Sequence, residues 1–427
     1  MFKKNALSLI LSCLLAMPVL GANAADQTTL PAALSLDYQL INLKSLERPD
    51  LGIAGLHLQV MPFHNDVYVG GAVYGAVKGI YSGFFALGAE IGLRHSISKQ
   101  LELEVGSMLG AGGGQGTAAF TGEGQMLQFH SGLTVTLNHL KVGLSYSNLR
   151  FLNTSIVSHS ALISLSAPFE AEFYPFEYDK LQFNGTRHQK YAALLASSYY
   201  PESHVTDVNG NSDLQSTKFI GVELGYEMLT HLYGLINFKG SMYGHKHGYA
   251  DLFVGLGYKN KLFFEELTGL FKLNLGTGGG AGVDTGSGFL IYPEVGLEYA
   301  LTPTLGLEFD VGIVKSLAND YRSKTVNAQL NYYLNAQCQD SSYKTAMRFG
   351  NQVYLNPTKT SNPNAEKINL LSVKLDSYLS PKIYMSGQMA FAYTGNVAGY
   401  FSGLLGIGIN QPLKQGAPLS AIAELLV

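Results

Sequence analysis

The chain has 427 residues, 46% of them hydrophobic and only 14% charged, with a formal net charge of −3. A near-neutral balance gives no sign of nucleic acid as a partner. Soluble domains carry about 25% charged residues, whereas this chain is poor in charge and holds 49 Gly, 26 Tyr and 22 Phe, which sets the ordinary soluble class aside.

The first 24 residues read as a secretory signal peptide. Lys3 and Lys4 give a positive start, Ala6 to Leu20 an apolar stretch, and Ala22-Asn23-Ala24 a small-residue cleavage site. The apolar run is too short for an anchor and meets Ala-x-Ala directly. Cys13 sits too early for a lipoprotein site, and Cys338 alone survives cleavage, which leaves no intramolecular disulfide. No later run of 18 or more apolar residues exists, so a membrane would have to be crossed by strands.

Strands follow at once. Ile220, Val222, Leu224, Tyr226 and Met228 alternate with Gly or Glu, and Leu305, Leu307, Phe309, Val311 and Ile313 alternate with a more polar set. Leu140 to Ser147 and Thr325 to Tyr332 show the same period of two, which marks a strand with one apolar face. Eight strands are expected near 35–43, 51–62, 67–77, 84–97, 101–110, 126–137, 140–151 and 159–169. Eight more lie between about 187 and 334, and five near 343–356, 368–379, 383–393, 401–410 and 419–427. Lengths of roughly 9–12 residues suit a tilted strand crossing a bilayer.

The blocks are copies of one another. Gly79–Gly88 returns at Gly248–Gly257 and again at Gly399–Gly408, and the heptad Gly110–Gly116 returns at Gly276–Gly282. A period of about 150–165 residues exceeds any solenoid unit and marks a duplicated multi-strand block. The repeats are placed at 25–180, 181–338 and, partially, 339–427. The expected fold is an all-β, transmembrane, up-and-down antiparallel β-barrel built from about three eight-strand repeats, the third truncated. A single barrel is the leading arrangement, because the joint near Ala336–Ser342 is short. Three small barrels in tandem are the alternative, since eight strands can close alone.

Loop lengths test this independently. Connections after even strands are short, as at Phe63–Asp66, Asn138-His139, Thr230-His231, Thr302-Pro303 and Ser380-Pro381. Those after odd strands are long and polar or Gly-rich, as at Ala111–Gln125, Glu202–Thr217, Thr277–Ser287 and Asn356–Lys367. Short turns on one side and long loops on the other belong to an outer-membrane barrel; a Greek-key sandwich would not hold that parity.

With its leader, alternating strands and Gly-rich tandem blocks, the chain resembles the uncharacterised outer-membrane β-barrel proteins of Gram-negative bacteria that carry repeated Gly-x-Gly-Gly-Gly loops. The resemblance spans essentially the whole mature chain and implies the cell outer membrane as its location. It brings no catalytic residues with it. One departure is the end, Glu424-Leu-Leu-Val427, which lacks the closing aromatic residue usual in bacterial barrels. Leu419–Val427 matches Leu101–Leu109, so a further Gly-rich loop and three strands are expected beyond it.

Few residues suggest chemistry. The Gly-rich heptads are followed by strands rather than by a helix and Lys-Ser/Thr, which argues against a phosphate cradle. His245-Lys-His247 lacks a third ligand nearby, and neither a metal nor any other cofactor is expected. Ser158-His159-Ser160 and His130-Ser131 place Ser beside His, but neighbours on a strand point to opposite faces, so a lipid hydrolase is only a distant alternative and no enzyme is expected. If apolar residues face lipid, then Glu102, Glu104, Lys141, Glu223, Glu227, Glu294, Glu298, Glu308 and Asp310 line the lumen. Acid outnumbers base there, which favours cations in a water-filled pore. Porin-like passage of small polar solutes is the expected function, with a structural or surface-interaction protein of blocked lumen as the alternative. Outer-membrane lipids and the barrel-insertion machinery are the expected partners, with a small polar solute as cargo.

Overall fold

The computed structural model describes residues 28–43, 47–62, 66–114, 117, 121, 124–138, 140–152, 154–173, 190–212, 214–243, 248–264, 266–302, 305–333, 345–355, 367–378, 382–394, 400–412 and 420–426. The signal peptide, His245-Lys-His247 and the Ala336–Ser342 joint lie outside the described residues.

The described elements are antiparallel strands. The first eight are β1 (Thr28–Ile41), β2 (Leu51–Val60), β3 (Val67–Lys78), β4 (Phe85–Ser96), β5 (Leu101–Gly113), β6 (Gln125–Leu137), β7 (Leu140–Phe151) and β8 (Val157–Phe173). Each pairs with the next, and β1 pairs with β8 from Thr28↔Phe173 to Gln39↔Leu162, which closes a barrel. The next eight are β9 (Lys190–Pro201), β10 (Thr217–Leu229), β11 (Leu232–Tyr243), β12 (Ala250–Lys261), β13 (Leu267–Gly279), β14 (Phe289–Thr302), β15 (Leu305–Ser316) and β16 (Arg322–Tyr333). They close a second barrel through β16 and β9, from Ser323↔Pro201 to Tyr333↔Tyr191. A five-stranded sheet follows: β17 (Thr345–Tyr354), β18 (Ile368–Tyr378), β19 (Ile383–Ala392), β20 (Phe401–Pro412) and β21 (Ser420–Leu426).

The single large barrel expected from the sequence is therefore replaced by two closed barrels and a five-stranded sheet. Closure explains the difference. A strand edge exposed to lipid leaves backbone groups unsatisfied at several kcal/mol each. Once β8 has paired with β1 along most of its length, nothing remains for β9 to join, and eight strands suffice for an interior that side chains can fill. Loop parity is also looser than expected. The 202–216 connection is long, but 79–84 and 152–156 are no longer than the even-side connection 61–66.

The wall is inverted relative to a soluble protein. Leu93, Leu103, Val105, Phe129, Leu133 and Leu144 are exposed on the first barrel, and Phe271, Leu273, Val295, Leu297, Phe309 and Val311 on the second. Glu, Asp and Gln are buried inside both, with Arg94 and His57 in the first barrel and Lys and Asn in the second. In water each exposed side chain would forgo burial worth about 1.5–3 kcal/mol; in hydrocarbon the outer face is at home and the charged interior is shielded.

Toward the long-loop rim the alternation continues but its chemistry swaps. On β7, Leu149 and Phe151 turn inward and are buried, while Arg150 is exposed. On β15, Val314 is buried and Lys315 exposed. Outside the first barrel at this level, the His159 ring lies 2.5 Å from the Tyr146 hydroxyl and 3.2 Å from the Asn148 amide, and Arg150 Nε donates to Asn148 Oδ1 at 3.0 Å. Polar groups and a tyrosine at that height fit the edge of an apolar band. Short turns close the opposite rim, where Asn138 (φ 55°) and His231 (φ 72°) take the left-handed conformation that tight hairpins require.

Candidate functional site

Each of the two lumens holds a dense grouping of buried charge, and both are built by the alternation just described. Every second residue of each strand turns inward, so eight strands deliver their polar sets to one axis.

In the second barrel, Lys272 of β13 stands between two carboxylates, with Nζ 2.8 Å from Glu223 Oε1 and 2.5 Å from Glu308 Oε1. Tyr191 OH, Gln329 Nε2 and Asn237 Nδ2 also donate to Glu223, at 2.8, 2.9 and 3.0 Å. Nearer the short-turn rim, Lys259 Nζ lies 2.8 Å from Glu298 Oε2 and 3.5 Å from Glu308 Oε2, over the faces of Tyr191, Tyr233 and Tyr333. Nearer the long loops, Asn274 and Asn327 each donate to Glu294 at 2.7 Å, and Asn327 also donates to Asp310. Lys239 is fully buried, its Nζ without a hydrogen bond and 4.2 Å from the centre of the Tyr292 ring. Asp251 accepts a hydrogen bond from Tyr199 OH at 2.6 Å.

The first barrel is arranged likewise. His57 presents Nε2 to Asp37 at 3.1 Å and Nδ1 to Glu90 at 3.0 Å. Arg94 donates to Glu104 at 3.2 Å and to Gln59 at 2.5 Å, and lies 5.0 Å from the centre of the Tyr68 ring. His130 Nε2 sits 3.5 Å from Glu104, and Lys141 reaches Glu102 at 2.7 Å.

Each lumen is also stoppered by apolar residues at its long-loop rim. Ile41, Leu51, Tyr74, Phe84, Met126 and Phe151 belong to one buried cluster in the first barrel. Tyr199, Phe219, Tyr249, Leu290, Tyr292 and Tyr321 belong to the corresponding cluster in the second.

The residues expected at the lumen sort as follows. Glu104, Glu223, Glu294, Glu298, Glu308 and Asp310 are buried inside the barrels, and Glu102 and Lys141 are half-buried and paired with each other. Glu227, also half-buried, lies toward the short-turn end of β10. The inward cations Arg94, Lys239, Lys259 and Lys272, with Asp37, His57, Glu90 and Asp251, were not singled out from the sequence. Lys272 was legible, for it alternates with Phe271 and Leu273 just as the carboxylates do with their neighbours. Ser158 turns inward and accepts from Asn42 N at 2.9 Å, while His159 faces outward beside Tyr146. Among the described residues no group of three or more His, Cys, Asp or Glu is arranged to hold a metal ion.

No family model matches the chain, and no curated protein does. Among solved structures it is similar to the KdgM porin, at 9% identity over 70% of this chain and 98% of that one, with a TM-score of 0.17. OccK10 (OpdN) of Pseudomonas aeruginosa is 12% identical over 94% and 93%, with a TM-score of 0.24. The siderophore receptor PirA of Pseudomonas aeruginosa is 9% identical over 91% and 75%, with a TM-score of 0.26.

Proposed function

We propose that this chain is a protein of the cell outer membrane that keeps its lumens closed and acts through its rims and outer surface, as a structural or surface-interaction protein. One observation carries the reading: ion pairs fill the lumens at mid-depth and apolar clusters stopper them. Glu308 is 0% exposed and Lys272 1%, which leaves no room for water beside them. The inverted wall supports a bilayer as the surrounding solvent. Lipids are then its immediate partner and the barrel-insertion machinery its assembly partner.

Porin-like passage of small polar solutes is the second reading. It draws support from the polarity of both lumens and from acid exceeding base among the buried charges of the second barrel, and it requires the ion pairs and stoppers to part. Planar bilayers separate the two. The closed-lumen reading gives a silent baseline after insertion, and discrete cation-selective current steps would sink it in favour of passage.

The membrane assignment has its own test. The protein should sediment with outer membranes, need detergent for extraction and give a β-rich circular dichroism spectrum. Recovery as a soluble periplasmic protein would end both readings.

A further inference from the structure

The Gly276–Gly282 heptad turns Gly278 toward Asp251 in the second lumen, yet its other face lies where two barrels touch. Thr277 shares the outward face of β13 with the exposed Phe271 and Leu273, but is itself buried. Its hydroxyl donates to the Ala76 carbonyl of β3 in the other barrel, 2.6 Å away. Gly75 faces it so closely that a Cβ there would stand 2.9 Å from Thr277 Cβ and overlap its methyl group. Two residues on, the bare backbones meet. A Cβ on Gly83 (φ 78°) would lie 2.6 Å from the Gly280 nitrogen, and one on Gly279 (φ 156°) would lie 2.5 Å from the Gly83 nitrogen. Only glycine fits on both sides.

The contacts obey a rule of position. β3 lies against β13 and β14, and β19 against β5. Because β13 and β5 are the fifth strands of their copies and β3 and β19 the third, both contacts join a third strand to a fifth. Phe238, on the third strand of copy two, faces the fourth strand of the remaining sheet, β20, where a Cβ on Gly403 would lie 3.8 Å from its ring. One apolar cluster takes the third strand of all three copies, at Val73, Phe238 and Met389, together with Phe85 and Ala250 from the fourth strands of the first two.

A face that meets a different face, repeated in the same sense, is a heterologous contact, and such contacts generate a ring when the rotation closes. We propose that this seam is a docking surface for a second copy of the same repeat, so that the chain builds a three-membered ring of its own units. The Gly276–Gly282 heptad serves as the close-approach element. Ala111, the second residue of the first heptad, joins the same cluster as Phe391. Lipid offers apolar walls no hydrophobic gain from meeting, so close backbone contact and one hydrogen bond supply what holds them. The seam does not depend on whether the lumens conduct.

With Cys13 and Cys338 replaced by Ser, Val73→Cys and Thr277→Cys should be joined in detergent by a reducible bis-maleimide linker reaching about 10 Å, because Val73 shares the seam-facing side of β3 with Gly75 and two residues of a strand span roughly 7 Å. After cleavage at a protease site inserted in the 174–189 connection, the two fragments should part on denaturing gels only upon reduction. Leu144→Cys with Thr277→Cys, from a face turned to lipid, should not cross-link. In Gly75→Leu the cleaved fragments should separate on size exclusion, whereas the unmutated pair co-elutes. Absence of the cross-link, or separation of the unmutated fragments while both barrels stay folded, overturns the seam.

Discussion

Phe309→Arg is expected to destabilise the second barrel by about 2–4 kcal/mol, the cost of a cation at the middle of a barrel's lipid face. Phe309 is 56% exposed on the outer wall, centred in the outward run Leu305, Leu307, Phe309, Val311 and Ile313. The sign of the effect is diagnostic. On a water-soluble barrel the same change would replace an exposed aromatic by a soluble charge and fall within about 0.5 kcal/mol of neutral. Urea unfolding after reconstitution, followed by the shift between folded and heat-denatured gel mobility, reads the difference. Unchanged stability would mean the outer wall does not face hydrocarbon at this position.

The second large effect lies one wall thickness inward. Lys272→Met leaves Glu223 and Glu308 buried without their shared cation, and breaking a buried pair in this way costs about 3–5 kcal/mol. Both carboxylates are 0% exposed, so water cannot replace the lysine without opening the barrel. Adding Glu223→Gln to Lys272→Met should recover part of the loss, because the mutated groups share one network and their effects are not additive. The same unfolding series measures this. Additive losses in the double variant would show that the carboxylate and lysine are not coupled across the lumen.

The strands were legible because a barrel wall imposes a period of two on every crossing. β7 was placed at 140–151 from alternation alone and spans Leu140–Phe151. β1 was drawn too short, starting at 35 rather than Thr28, because Pro31 and Ala32–Ala33 break the pattern while the pairing with β8 continues. Closure was not legible at all: eight-fold periodicity is the same whether the edges meet after eight strands or after twenty-four. The inward carboxylates could be read from parity, and so could the lysines that neutralise them. The stoppers were hidden for a different reason. Near the long-loop rim apolar residues turn inward, so a rule that sends apolar side chains to lipid places Leu149 and Phe151 on the wrong face.

Each barrel has an even number of strands, so the polypeptide enters and leaves it at the same rim. A unit of this kind is modular at the level of the gene. Recombination can insert or delete a whole eight-strand block and leave every neighbour with its orientation across the bilayer intact, because no flanking segment has to change sides. An insertion of odd strand number would invert everything after it. Selection can therefore vary the number of barrels in one polypeptide without redesigning any of them, and the long-loop rims of all copies remain displayed on one side.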